Sequence, residues 1–240
     1  MNALKPVYQK QHVNDLFSEM AATYGIMNLI TSFGFTHLWR KICVAKANIQ
    51  ENHVVYDLLT GMGECLPPIR KRLISGKLRA LDFCPTMCEK AKDTARRLGL
   101  DEQTILCEDV FFNSVPDNIA DRIVCSFGLK TFSREQSAAF AKEIFRILKP
   151  GSRFSAVEIS VPKTKWLTTL YLFYIGKIIP LLGKLFLGNP QNYRELGLYT
   201  QAFESCERTA TDFKQAGLTV RTYSLFFGCA TGIVAEKAKS

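Results

Sequence analysis

From residue 53 onward, short apolar runs of period two alternate with amphipathic runs of helical period. HVVYDLL predicts a strand, ECLPPIRKRLISG a helix closed by Gly76, and KLRALDF a second strand. PTMCEKAKDTARRLG predicts a helix with Pro85 before its start and Gly99 as its stop. TILCEDV and ADRIVCSFGL predict the third and fourth strands. SREQSAAFAKEIFRILKPG predicts a helix capped by Ser133 and ended by Lys149-Pro150-Gly151, and SRFSAVEIS a fifth strand. Strands separated by helices pair in parallel through right-handed crossovers, which defines an α/β, doubly wound sheet.

The two ends of the chain read differently. Residues 12–48 carry the amphipathic pieces FSEMAATYGIMNLI and HLWRKICVAKA, both helical in period. YTQAFESCERTATDFKQAG predicts a late helix, and TVRTYSLFFG and CATGIVAEK two closing strands parted by Gly228. A closing hairpin adds antiparallel pairing, so the sheet is expected to be mostly parallel and seven-stranded. The expected organisation is one domain over 1–240, with a helical cap at 1–50 and an α/β core at 51–160. A helical lid at 161–200 and a last helix with the closing hairpin at 201–240 complete it.

Composition changes this picture little. Of 240 residues, 47% are hydrophobic and 22% charged, as in globular domains, and the net charge of +9 is spread along the chain. Such an excess suits an anionic partner, a membrane surface or a phosphorylated ligand. The eight cysteines lack metal-knuckle or redox-pair spacing, so buried reduced thiols are expected and no metal. MNALKPVYQKQHVND has no apolar core, so no secretory signal and a cytoplasmic setting are expected. Residues 166–188 are long and apolar enough to suggest a membrane span, but Lys177, Lys184 and Pro180 interrupt them. A charge at mid-membrane costs about 2.5–3.5 kcal/mol. A lid over an apolar pocket, or a helix lying peripherally on the inner face of a membrane, fits better.

The stretch YDLLTGMGEC carries the candidate chemistry. After Asp57, Gly61 and Gly63 allow close backbone approach to a ligand. Asp82, beside Phe83, ends the second strand and is spaced to accept the two hydroxyls of a ribose. Glu108-Asp109 ends the third strand, within reach of an adenine amino group. Leu59 stands where a dinucleotide loop has its first small residue, which disfavours pyrophosphate. An adenosine cofactor without phosphate, S-adenosylmethionine, fits better.

These features, together with FSEMAATYGIMNLITSFGFTHLWRK, LDFCPTM, PDNIAD, CSFGLKTF, FRILKPGSRF, EISVP and NYRELGLYTQAF, resemble the ubiquinone/menaquinone C-methyltransferase family. These are class I, Rossmann-like, S-adenosylmethionine-dependent enzymes that methylate quinone rings. The resemblance spans about residues 15–236. It implies cofactor contacts at Asp57, Gly61, Met62, Gly63, Asp82, Phe83, Asp109, Val110 and Ser126. It also implies that Asp57 orients the methionine part through the loop backbone or a water.

The chain departs from the family pattern at three places. Leu59 and Met62 replace a small residue and a threonine. Lys130-Thr131 stand where arginine and asparagine are usual after SFGL, and lysine lacks the planar fork of arginine. Lys130, Tyr24, Tyr193 and Glu158 are the candidates for handling the proton of a quinol. Trp166, Tyr171, Phe173, Tyr174 and Phe186 are expected to wall a pocket for a ring with an isoprenoid tail. The expected function is C-methylation of a lipophilic quinol. Its rivals are transfer of another group, as in the related amino-installing rhodoquinone enzymes, and a non-catalytic quinone- or lipid-binding homologue. No nucleic-acid partner is expected, since no aromatic-basic stripe occurs, and a second copy of the chain remains open as a partner.

Overall fold

The computed structural model describes residues 6–22, 24–185 and 189–239, without the side chains of Tyr24 and a few neighbours in the cap and lid. Helices α1 (Lys10–Met20), α2 (Tyr24–Thr31) and α3 (Phe35–Lys46) precede β1 (Val54–Leu58). Then follow α4 (Leu66–Arg70), β2 (Lys77–Asp82), α5 (Pro85–Arg97), β3 (Ile105–Cys107) and β4 (Ala120–Ser126). Next come α6 (Arg134–Ile147), β5 (Leu148–Ile159), α7 (Lys165–Phe173), α8 (Ile179–Leu185) and α9 (Pro190–Phe203). The chain closes with α10 (Glu207–Gln215), β6 (Thr219–Leu225) and β7 (Ala230–Glu236).

The sheet order is β3-β2-β1-β4-β5-β7-β6. β1 to β5 run parallel, while β7 inserts antiparallel between β5 and β6. Chain direction across the sheet reverses between β1 and β4, where open α/β sheets bind ligands beyond the strand ends. One core packs Tyr56 and Leu58 of β1 against α6 and α10, with Phe140, Phe154 and Phe213 fully buried in contact. The other packs Val55 against α3, α4 and α5. Alternate residues of one strand thus feed opposite faces, as a pleated sheet demands.

The sequence pattern and the structure differ at four boundaries. The helix expected over 64–76 is cut to Leu66–Arg70, because the backbone N–H groups of Ile74, Ser75 and Gly76 all turn onto the Glu51 carbonyl. The late helix expected over 199–217 breaks at Glu204 (φ 60°). There Val161 donates to the Glu204 carbonyl and Cys206 to the Thr231 hydroxyl. β3 stops at Cys107, so Glu108 and Asp109 lie just past it. β5 begins at Leu148, so Lys149-Pro150-Gly151 end α6 from within a strand. The Ser133 cap forms as expected, as a reciprocal box with Gln136. All eight cysteines are unpaired, and only Cys107 is exposed.

Candidate active site

Loops following β1, β2, β3 and β4 enclose a cleft of about 860 Å³, its open mouth included. Gly61, Asp82, Phe83, Asp109, Val110 and Ser126 all line it. Helix α1 closes it from above through Val13 and Phe17. Asp57, Met62 and Gly63 do not line it. Asp57 lies beneath the loop, and Met62 packs toward the cap, its methyl against Gly25. Gly63 (φ 77°) has a backbone role: a β-carbon there would stand 2.7 Å from Leu66 Cδ1.

Asp82 is the keystone of this loop. Its Oδ2 accepts the Gly61 N–H at 2.8 Å and its Oδ1 the Cys84 N–H at 3.0 Å. Burial pushes its carboxyl above the ordinary range, and backbone hydrogen bonds oppose that shift. A carboxylate has about four acceptor sites, so capacity remains for ligand hydroxyls. Asp109 accepts the Phe111 N–H and pairs with Lys10 Nζ at 2.9 Å.

Asp57 is buried, and burial raises its carboxyl to about 7. Thr60 Oγ1 donates to its Oδ2 at 2.5 Å, while its Oδ1 has no partner among the described residues. Arg40 is buried beside it, with Nη2 donating to Glu64 Oε1 at 2.8 Å and its guanidinium 4.8 Å from the Phe127 ring centroid. Arg40 Nε is likewise buried with no partner among the described residues.

Neither Arg40 nor Glu64 was among the residues expected from sequence. A signal existed: Thr36, Trp39, Arg40, Cys43 and Val44 form the buried face of α3. A charge on such a stripe marks a partnered or liganded group.

A second cavity, of about 840 Å³ with its opening to solvent included, lies between the cap and the lid. Trp39, Ile159, Tyr171, Tyr174, Ile175, Ile179, Tyr193 and Leu196 form its largely apolar wall, and Lys130 is the charged residue among those described. Phe127 lines both this cavity and the cleft. Lys130 is only 4% exposed, so its charge must be compensated. Its Nζ meets Glu158 Oε1 at 2.9 Å and the Phe127 carbonyl at 3.0 Å, and its backbone N–H meets Glu158 Oε2.

Tyr193 is buried in the cavity wall, whereas the side chain of Tyr24 lies outside the described residues, as does Phe186. Tyr171 and Tyr174 line the cavity as expected, and the Tyr174 hydroxyl donates to the Thr31 carbonyl. Trp166 and Phe173 do not: at 70% and 56% exposure they face outward, because the cavity takes the opposite side of α7.

The residues of the cleft suit S-adenosylmethionine. Strand-end carboxylates follow β2 and β3, the glycine loop follows β1, and the two orphaned polar atoms of Asp57 and Arg40 lie at the β1–β4 switch. Fold and site together define a class I S-adenosylmethionine-dependent methyltransferase. The fold is shared with an S-adenosylmethionine-dependent methyltransferase of Thermotoga maritima (TM-score 0.62, 16% identity, 93% of this chain and 99% of that one). It is also shared with one of Aquifex aeolicus (TM-score 0.52, 22% identity, 78% and 82%).

The family model described as "ubiE/COQ5 methyltransferase family" matches residues 5–238, and the chain belongs to that family. It is 31% identical to a demethylmenaquinone methyltransferase of Thermus thermophilus, over 92% of this chain and all of that one. It is 29% identical to a ubiquinone/menaquinone biosynthesis C-methyltransferase of Pseudoalteromonas translucida, over 93% and 88%.

Proposed function

We propose that the protein methylates a ring carbon of a lipophilic quinol held in the second cavity. The observation that carries this reading is the wall shared by the two cavities, Phe127, with Lys130 lining the second. When bound, S-adenosylmethionine supplies a methyl group on a sulfonium, already activated for displacement.

The protein's own tasks are alignment, exclusion of water and stabilisation of the ionised acceptor. Lys130 supports the last of these. Its ammonium is fixed by Glu158 and the Phe127 carbonyl, so it presents a preorganised positive charge to a phenolate without reorganisation. Proton loss from the ring hydroxyl makes the adjacent carbon nucleophilic, and the ring later sheds its carbon-bound proton. Tyr193 bounds the space the ring occupies.

The acceptor arrives, in this reading, from a lipid surface. No helix among the described residues is long and apolar enough to cross a membrane. The outer side of the lid presents Trp166, Leu170, Phe173 and Leu181, each 53–70% exposed, with Lys177 and Lys184 interspersed and exposed. From residue 159 to 194 there is no acidic side chain, against Lys163, Lys165, Lys177, Lys184 and Arg194.

The test is incubation with methyl-labelled cofactor and reduced demethylated quinones of both the benzoquinone and naphthoquinone types. Label in a ring carbon of the extracted quinone is the expected result. An unlabelled aminated product would assign the other group transfer that replacement of the family arginine by Lys130 leaves open. Binding of both compounds without product would assign a non-catalytic role.

A further inference from the structure

We infer that Arg40 and Glu64 form a two-charge clamp for the amino-acid end of the cofactor, Arg40 taking its carboxylate and Glu64 its ammonium. This rests on the reading of the cleft as the S-adenosylmethionine site.

Sheet topology sets the direction of the ligand. In the order β3-β2-β1-β4, Asp109 follows β3, Asp82 follows β2, and Gly61 and Glu64 follow β1. If adenine and ribose take the β3 and β2 ends, the amino-acid end falls at β1 and β4. Arg40, Glu64, Ser126 and Phe127 line the cleft there. The sulfur then lies beside Phe127, the wall shared with the acceptor cavity.

Charge selects the residues. An α-amino acid presents a carboxylate and an ammonium, and each loses hydration on entering a closed cleft, so each needs an opposite charge. Two cations line the described cleft, Lys10 and Arg40. Lys10 is committed to Asp109 at the adenine end, 5.6 Å from the Phe83 ring centroid. Arg40 is left for the carboxylate.

Arg40 is also incompletely used. Among the described residues only Nη2 of its three guanidinium nitrogens donates a hydrogen bond, to Glu64, and the buried Nε has no partner. A guanidinium is a planar fork built for a carboxylate. The Phe127 ring holds that plane in place. Glu64 is partly exposed, and its second oxygen, Oε2, lies 3.4 Å from the β-carbon position of Gly61, over the loop. The Arg40–Glu64 pair therefore presents a cation and an anion side by side at the cleft wall, opposite in sign to the two charges of an amino acid. A bound zwitterion completes an alternating ring of four.

Calorimetry with two ligands isolates this clamp. S-adenosylhomocysteine carries the amino-acid end, whereas 5′-methylthioadenosine keeps adenosine and sulfur but lacks it. The parent protein should bind both; if it binds neither, the reading of the cleft fails, whatever Arg40 does.

Given parent binding, Arg40→Gln should weaken S-adenosylhomocysteine by about ten- to a hundredfold. It should leave methylthioadenosine within about twofold. Glu64→Gln should show the same selectivity, and Arg40→Lys should recover part of the loss. Equal loss for both ligands, or no loss for either, overturns the clamp. If Arg40→Gln does not fold, Glu64→Gln and Arg40→Lys give the same two-ligand comparison.

Discussion

Leu59 and Gly128 form a matched pair across the cleft. Leu59 adopts φ 56° at the turn after β1, and its side chain lies over Gly128, where a β-carbon would stand 2.6 Å from Leu59 Cδ1. A branched residue in the left-handed region costs roughly 1–2 kcal/mol, so packing must hold it there. Gly128→Ala should destabilise the fold by about 1–3 kcal/mol through overpacking. Because the Leu59 β-carbon itself would stand only 2.8 Å away, the rescuing change is Leu59→Gly, which also suits φ 56° and should recover most of that loss. Denaturant unfolding of the two single variants and the double variant measures the coupling, and additive effects would mean that the two residues do not share one space. Leu59→Ala alone should bind S-adenosylhomocysteine at least as well as the parent.

Asp82 ties the loop after β1 to the turn after β2, and in the proposed site it also meets the ligand. Asp82→Ala removes two backbone hydrogen bonds as well as the acceptor proposed for ribose hydroxyls. Cofactor affinity should fall by about 1.5–3 kcal/mol. Asp82→Asn keeps an acceptor oxygen and should lose less. Calorimetry on both variants decides, and unchanged affinity in Asp82→Ala would remove Asp82 from the site.

How much of this could be read in advance depended on whether a residue's role is local. Asp82 and Asp109 could be placed at the cleft in advance because strand ends fix them along the chain. That Asp57 lies beneath the loop and not in the cleft could not be read from its position. Gly61 and Asp82 meet across 21 positions, but the parallel register of β1 and β2 predicts that meeting. Lys130 was legible only as a departure from a family pattern. Its partner Glu158 is 28 residues away on the next strand, and no spacing rule announces a buried ion pair. Arg40 was hidden for a related reason, since its meaning depends on α3 packing beside the loop after β1. The cavity side of the lid was half legible: apolar content predicted a wall, but only packing decides that Tyr171 faces in and Trp166 out.

Asp57 makes stability depend on pH. Its carboxyl rises from 3.8 to about 7 on folding, chiefly through burial. Between those values the folded protein holds a proton that the unfolded chain has released. Stability therefore falls as pH rises through this window and levels off above it. Asp57→Asn keeps an acceptor for Thr60 and should abolish that part of the slope. Urea unfolding across the window, for parent and variant, checks it. A parent slope that survives unchanged in Asp57→Asn would assign the pH dependence elsewhere.

The Lys130–Glu158 pair should serve both folding and turnover, and two variants separate these roles. Removing one partner of a buried pair leaves the other uncompensated, at about 3–5 kcal/mol. Lys130→Met should therefore lower stability by that order, and adding Glu158→Gln should recover part of it. If Lys130 stabilises the ionised acceptor, the restored double variant should bind cofactor normally yet turn over poorly. Full turnover in that variant would leave Lys130 a purely structural role.

The outer stripe of the lid predicts selective binding to anionic membranes. Trp166, Leu170, Phe173, Lys177, Leu181 and Lys184 follow one another at intervals of three or four residues, and all are exposed. Within α7 and α8 that spacing keeps one face, and the π-helical turn Tyr174–Ile178 that joins them carries Lys177, also exposed. Lysine stems can lie along the apolar surface while their ammonium groups reach lipid phosphates. Each basic group near an anionic leaflet contributes about 1 kcal/mol, so reversing two of them should abolish a modest attraction. Co-sedimentation with anionic and neutral vesicles should show the parent enriched on the anionic ones. The Lys177→Glu/Lys184→Glu variant should lose that enrichment while binding S-adenosylhomocysteine unchanged, since neither lysine lines the cofactor cleft. A third protein, Trp166→Ser/Phe173→Ser, should weaken binding to both vesicle types, because its loss is of apolar insertion and not of charge. Equal sedimentation of all three proteins would remove the membrane from this reading and leave the lid as the wall of an internal cavity.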